Sequence, residues 1–399
     1  MMSAALRSAR ETGCSGRGDE MGERWMWAAW VSAMFVVGCG DTGEVEPERR
    51  GADMSVGVDM SVGVDMSVDV DMSADADMEA PWMPPAGWTY EAPDWSVMPE
   101  VEELWFEARQ VDSGASEEAE MEHGIFVPAG RKRPELFVFL SGSGGRPRNG
   151  ENILRVAARA GYRTIGLAYP TELSNADACD GSADKDCQEK FRREKLYGED
   201  GLDVLNIKPA DAIVVRLVTL LKRLHQQRPQ AGFDAYYEGD EPVWELLVLG
   251  GFSQGSGHVS YLAMEHKVAR LVLFSSGADN IIINEQTEEF EQAPWVLRPR
   301  ATPAGRHFGI LHTEDLFRIK RLAYETFGMT RYGDFVNPEE AAAPYGYTHM
   351  LLTDATPAMD PSRAHNSLAT DAFMPKGADG LPLMKDAHYY MFTAPIPED

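Results

Sequence analysis

A serine framed by glycines at the end of an apolar run is the first chemistry this sequence offers. Residues 244–258 read WELLVLGGFSQGSGH, which places Ser253 in Gly251-Phe252-Ser253-Gln254-Gly255, the pattern G-x-S-x-G. A strand, a sharp turn and a helix in that order hold a serine in a strained conformation with its hydroxyl exposed, and such a turn needs small neighbours. Gly251, Gly255 and Gly257 supply that room. The helix that follows aims N–H groups at the site and favours developing negative charge there. The rival is a glycine-rich phosphate turn, but no P-loop lysine or spaced dinucleotide glycines accompany it.

A serine hydroxyl becomes a nucleophile when an imidazole takes its proton and a carboxylate orients that imidazole. Candidates stand just past apolar runs later in the chain. Glu314 and Asp315 are the first carboxylates after RHFGILHT (306–313); Asp315 is preferred, and a one-residue shift in the turn would exchange them. Asp279, after RLVLFSSG (270–277), is a third choice. His365, in SRAHNSLATD beyond THMLLTD (348–354), is the expected base. His349 lies inside an apolar run and reads as a packed core residue, while His388 sits in an apolar terminal segment with no strand end before it. His258, five residues past the serine, reads as structural, and His312 as a residue near the site. The oxyanion of an acyl-transfer intermediate needs two backbone donors. Gln254 offers one; the loop FLSGSGGRPRNG (139–150) offers the other, from Ser143, with Gly142 and Gly144 as alternatives.

These residues need elements that end at a common edge. Strands are expected over 123–128, 135–142, 163–170, 244–253, 270–277, 306–313 and 348–354, with helices over 151–162, 209–229 and 256–266. Nearly all-apolar strands alternating with helices imply a parallel sheet covered on both faces. Ligand crevices in such sheets lie beyond the carboxyl ends of the strands, where each candidate residue falls. Two segments are placed to shape specificity, 171–201 and 280–306; in the second, Phe290, Trp295 and Val296 either line an acyl pocket or pin the loop to the body. No HExxH or other spaced ligand set appears, so metal-assisted hydrolysis has no support.

The 399 residues carry a formal charge of −27, most of it before residue 125. A polyanionic chain argues against nucleic acid as a partner. Arg24 precedes the apolar stretch WMWAAWVSAMFVVGC, too short to span a membrane and of the length of a signal-peptide core. Its end, Val36-Val37-Gly38-Cys39, resembles a bacterial lipobox, so residues 1–38 read as a signal peptide and Cys39 as the lipidated residue. Residues 1–20 read as an over-extended start, with Met21 as initiator, which would exclude Cys14 from the mature protein. Residues 52–78 repeat every six residues with Asp at fixed positions, a composition that buries no core and extends by self-repulsion. Residues 39–99 are therefore expected to form a disordered acidic tether, with the Pro- and Trp-rich stretch 80–95 ending it or packing on the domain edge, and 100–399 to form one α/β domain. Export permits a disulfide, and Cys179 and Cys187, eight positions apart in a polar loop, are expected to form it.

Taken together, GGFSQGSGH, LSGSGG, the acid after a late strand and AHNS resemble the α/β-hydrolases. The wider run IGLAYP, the paired cysteines, RLVLFSSGADN, APWVLRPRATP and AHNS is similar to a little-characterised family of exported bacterial serine hydrolases. The resemblance covers roughly residues 120–395. It implies an eight-stranded, mostly parallel sheet with helices on both faces, no cofactor, and a triad in the order Ser253, Asp315, His365 with Gln254 and Ser143 as oxyanion donors. It departs at Phe252, where many relatives have His, and at Ser141, where others have His or Pro. The expected activity is hydrolysis of a small-molecule or lipid carboxylic ester by an enzyme held to the bacterial cell envelope by its N-terminal lipid. The rival is a surface-binding protein that keeps the fold without catalysis.

Overall fold

The computed structural model describes residues 82–116, 121–130, 132–199, 201–284 and 289–397. Eight strands form the central sheet: β1 (Val101–Glu107), β2 (Glu122–Pro128), β3 (Leu136–Leu140), β4 (Arg163–Leu167), β5 (Leu247–Phe252), β6 (Arg270–Phe274), β7 (His307–His312) and β8 (Met350–Thr353). They lie in the order β1-β2-β4-β3-β5-β6-β7-β8. β1 and β2 pair antiparallel, as do β2 and β4, and all other neighbours are parallel. Six longer helices accompany the sheet: α1 (Glu151–Arg159), α2 (Cys187–Tyr197), α3 (Ile213–Gln227), α4 (Gln254–Glu265), α5 (Phe317–Thr326) and α6 (Lys385–Thr393). With the serine between β5 and α4, this is an α/β-hydrolase fold.

The apolar runs follow from burial on both faces. In β3, Val138 and Leu140 join a core with Leu217 and Leu221 of α3 and Val259 of α4. Phe137 and Phe139, alternating with them, enter a second core with Leu154 of α1 and Phe392 of α6. Burying each such side chain contributes about 1.5–3 kcal/mol, and no polar position is left for either face to show water. β1 is different: an edge strand, VEELWFE, half exposed and without an apolar run, which is why only the strands from β2 onward are legible as such.

Several strands are shorter than expected by up to three residues at an end, and two helix starts differ, each for a local reason. Pro209 opens a separate 3₁₀ turn, Pro209–Asp211, and α3 begins only at Ile213, because Ala212 is extended (φ −65°, ψ 135°). α4 begins at Gln254, directly after the serine, instead of at 256. Upstream of residue 100 the Pro- and Trp-rich stretch packs on the domain edge, one of the two outcomes expected for it. Trp82 lies edge-on to Tyr332 and His349, Trp88 to Tyr347 and Tyr90 to Tyr390, and Trp95 donates Nε1–H to Asp386 at 2.7 Å. Cys39, the lipobox, the start region and the six-residue repeat lie outside the described residues.

Candidate active site

At Ser253 the chain turns from β5 into α4 with φ 54° and ψ −118°, a region disfavoured for any residue but glycine. The turn is possible because its neighbours approach without side chains. A Cβ at Gly255 would lie 2.1 Å from the Leu140 carbonyl oxygen, so the helix start rests on the end of β3. The Ser253 N–H donates to Phe274 O at 3.1 Å, tying the turn to β6.

His365 comes to this turn from the loop after β8, between the short 3₁₀ turns Pro361–Arg363 and Asn366–Leu368. Its Nε2 is 2.8 Å from Ser253 Oγ. Its carbonyl accepts from Ser275 Oγ at 2.7 Å, and its ring packs against Phe252, centroid to centroid 5.0 Å. Phe252 thus forms one wall for the imidazole. Asp315 arrives from the turn after β7, with Oδ2 2.8 Å from His365 Nδ1. Ser253, His365 and Asp315 form one continuous hydrogen-bonded chain from three distant segments.

The other carboxylates are elsewhere. Glu314 is exposed, and its N–H donates to His312 Nδ1 at 3.1 Å. His312 Nε2 meets Ala355 O at 3.1 Å, so this histidine braces the acid-bearing turn. Asp279 is buried in a different pair: Arg192 donates to its Oδ2 at 3.0 Å and its Oδ1 at 2.6 Å, and Trp295 Nε1–H adds a bond at 3.0 Å. That leaves Asp279 remote in role from the imidazole. Trp295 and Val296 are fully buried, so they pin their loop to the body instead of lining a pocket, and Phe290 is half-buried in a hairpin strand, Glu289–Gln292.

The other histidines weighed as candidates pack as core residues. His349 stacks on Phe308 at 4.0 Å, and His388, on α6, meets Phe274 edge-on at 5.2 Å; burial pushes both down to about 3. His258 stacks on Phe191 at 6.0 Å and is held well below the usual imidazole range by burial and by Arg192 and Lys195.

Gly142 adjoins the serine: a Cβ there would lie 2.9 Å from Ser253 Cβ. In the loop it opens, Gly144 N–H donates to Thr171 O and Gly145 N–H to Gly142 O, both at 2.9 Å. The Gly144 N–H is therefore spent, which removes that alternative and leaves Ser143 and Gly142. Ser143 Oγ donates to Gln254 Oε1 at 3.0 Å, joining the two segments expected to supply the donors. The cysteines expected to pair do so, Cys179 with Cys187.

Lys320 is a site residue that motif reading missed. One turn into α5, it places Nζ 2.5 Å from Asp315 Oδ1 and 2.8 Å from His365 Nδ1. Burial lowers the lysine's pKa against the pull of Asp315. Burial likewise pushes the Asp315 carboxyl up, but His365 and Lys320 outweigh it and hold the acid below its ordinary range. For His365, burial and then the Lys320 charge lower the pKa, with Asp315 opposing. In sequence, Lys320 is one of several cations in FRIKR, indistinguishable from a solvated helix face.

No family model and no curated protein matches the chain. The chain is similar to several solved structures at low identity. Apo esterase 2 of Thermogutta terrifontis is 15% identical, with 67% of this chain and 87% of that chain covered at a TM-score of 0.31. A thermostable esterase from Pseudomonas putida ECU1011 is 11% identical over 76% and 84%, TM-score 0.34. TT1662 from Thermus thermophilus is 12% identical over 64% and 89%, TM-score 0.33. Likenesses this distant assign no role to any residue here.

Proposed function

We propose that this chain is an exported, lipid-anchored serine hydrolase of carboxylic esters. The observation that carries the reading is the unbroken path Ser253 Oγ, His365 Nε2, His365 Nδ1, Asp315 Oδ2, with 2.8 Å at each hydrogen bond. With Nδ1–H donated to Asp315, Nε2 is free to take the serine proton as Oγ attacks the ester carbonyl. The carbonyl oxygen becomes an oxyanion, met by the Gln254 N–H at the start of α4 and by an N–H of the Gly142–Ser143 segment. His365 then protonates the departing alcohol, and the same base activates water to release the acid from the acyl-enzyme. Asp315, acceptor-only and held ionised, fixes the imidazole's tautomer throughout.

Lys320 supports a second reading. A single Nδ1 cannot both donate to Asp315 and accept from an ammonium 2.8 Å away. If Lys320 were the partner, the proton would sit on Nε2 and the serine would have no base, leaving a binding protein on a hydrolase fold. A panel of chromogenic esters of increasing chain length separates the two. Turnover with an acyl-enzyme burst, lost in Ser253→Ala, supports catalysis; no turnover of any ester supports binding. The anchoring rests on Cys39 and its preceding residues, and its test is incorporation of labelled fatty acid into wild type but not Cys39→Ser.

A further inference from the structure

In the segment 171–199, which follows β4, three residues spend polar groups on the loop and helix start beside Ser253: Thr171, Asn175 and Arg192. Thr171 O accepts Gly144 N–H at 2.9 Å, and Thr171 Oγ1 donates to Gly145 O at 3.0 Å, so this residue holds the glycine turn from both sides. Asn175 N–H donates to Gln254 Oε1 at 3.1 Å, the same oxygen that receives Ser143 Oγ–H. From α2, Arg192 Nη1 donates to the Gln254 carbonyl at 2.8 Å. Gly257 leaves the space for that guanidinium, since a Cβ there would lie 2.2 Å from Arg192 Nη2. Arg192 is in turn fixed by Asp279, a pair with side chains only 3% and 6% exposed. The disulfide joins the residue capping the short helix Asn175–Ala178 to the first residue of α2, so the two helices that carry the Asn175 and Arg192 contacts are tied to each other at the closed loop 179–187.

We infer that this disulfide-closed insertion is a positioning element for the oxyanion hole: it sets the spacing of the Ser143 and Gln254 donors through Asn175, Thr171 and Arg192 without touching substrate. The inference rests on the catalytic reading above. Its physical basis is that two donors from separate segments stabilise an oxyanion only when both are pre-aimed, and displacement of about 1 Å can cost about 10²-fold in rate. Gln254 alone cannot set this spacing, because its side chain is held from both sides by groups the insertion and the loop supply. The disulfide's position then makes the rate sensitive to reduction.

Asn175→Pro is the sharpest test. It deletes the N–H, together with the buried Asn175 carboxamide, at the first position of a helix, where proline is accommodated, and Ser174 already has the φ −80° and ψ 158° that a residue before proline adopts. Full-length wild type, Asn175→Pro and the Cys179→Ser/Cys187→Ser pair are titrated with a fluorophosphonate, and kcat and KM for a chromogenic ester are measured per reactive serine. The expected result is a fall in kcat of about 10- to 100-fold in both variants, and in wild type after reduction, with KM changed less than about threefold. A merely structural role would lower the titrated fraction and leave kcat per titrated serine intact. Wild-type kcat per site in the cysteine variant and in any Asn175→Pro that folds overturns the inference while sparing the hydrolase reading; if Asn175→Pro does not fold, the cysteine variant decides. Wild type that neither reacts with the probe nor turns over ester overturns both.

Discussion

Asp279 and Asp315 both stand past strands on the carboxyl edge, and the structure gives them separable tasks. Replacing Asp279 strips a buried guanidinium of its partner and breaks the Trp295 bond. Removing one member of a buried ion pair costs about 3–5 kcal/mol, because the other charge is left uncompensated. For a domain of this size each kcal/mol moves the midpoint by a few degrees, so Asp279→Ala is expected to melt roughly 6–20 °C below wild type, with Asp279→Asn at the gentler end because its amide oxygen still accepts one bond. Thermal unfolding by near-ultraviolet circular dichroism at one fixed scan rate reads this directly. Catalysis follows the opposite ranking. Asp315→Asn presents an amide where Nδ1–H needs an acceptor, which costs about 10⁴-fold in kcat. Asp279→Asn, assayed below its melting point per titrated serine, loses at most about 100-fold, through the loosened Arg192 contact to Gln254. An Asp279→Asn enzyme as inactive as Asp315→Asn, or one that melts with wild type, refutes this division and returns Asp279 to candidacy as the triad acid.

Other expectations follow from the charges. His365 must be neutral to act as base, and burial and Lys320 hold its pKa below the ordinary 6.5, so activity should persist to acidic pH; Lys320→Met removes a lowering charge and should move the acidic limb to higher pH, while an unmoved limb would take Lys320 out of the account. Five buried histidines resist charging in the fold: His123, His349 and His388, pushed down to about 3, and His258 and His307, well below 6.5. The unfolded chain binds those protons first, so their stabilisation is complete above pH 6.5 and is lost as pH falls, by about 1.4 kcal/mol per unit for each. Asp371, raised to about 6 by burial, and Glu339, raised by the same cause, work in the opposite direction but are outnumbered, and the urea midpoint should therefore drop between pH 7 and 5; a flat midpoint would show that these rings find partners or water. Cys39→Ser should shift the protein from the membrane fraction to the soluble exported fraction, and unchanged fractionation would end the lipid-anchor reading.

What sequence makes legible here is what burial and backbone strain impose on residue type. β2 through β8 stand out because both sheet faces are covered, and the G-x-S-x-G turn because close backbone contact admits no Cβ at Gly255. Asp315 and His365 are placed by lying past strand ends. β1 is hidden by its half-exposed edge, and α2, CQEKFRREKLY, by a composition that reads as solvated although Arg192, Glu194 and Lys195 are buried. Spacing is silent on such tertiary pairings: nothing in 171–201 signals that Arg192 would claim Asp279, or that Thr171 would take the Gly144 N–H. Lys320 is hidden for the same reason, since only the packing of α5 against the acid turn separates it from the neighbouring surface cations.

The most direct measurement is mass spectrometry of peptides after reaction with a fluorophosphonate. Activation of one hydroxyl by one imidazole predicts a single adduct on the peptide holding Ser253, absent in Ser253→Ala and slowed by orders of magnitude in His365→Ala. Equal modification of Ser253 with and without the imidazole, or no adduct at that residue, would contradict the claim that these groups act together.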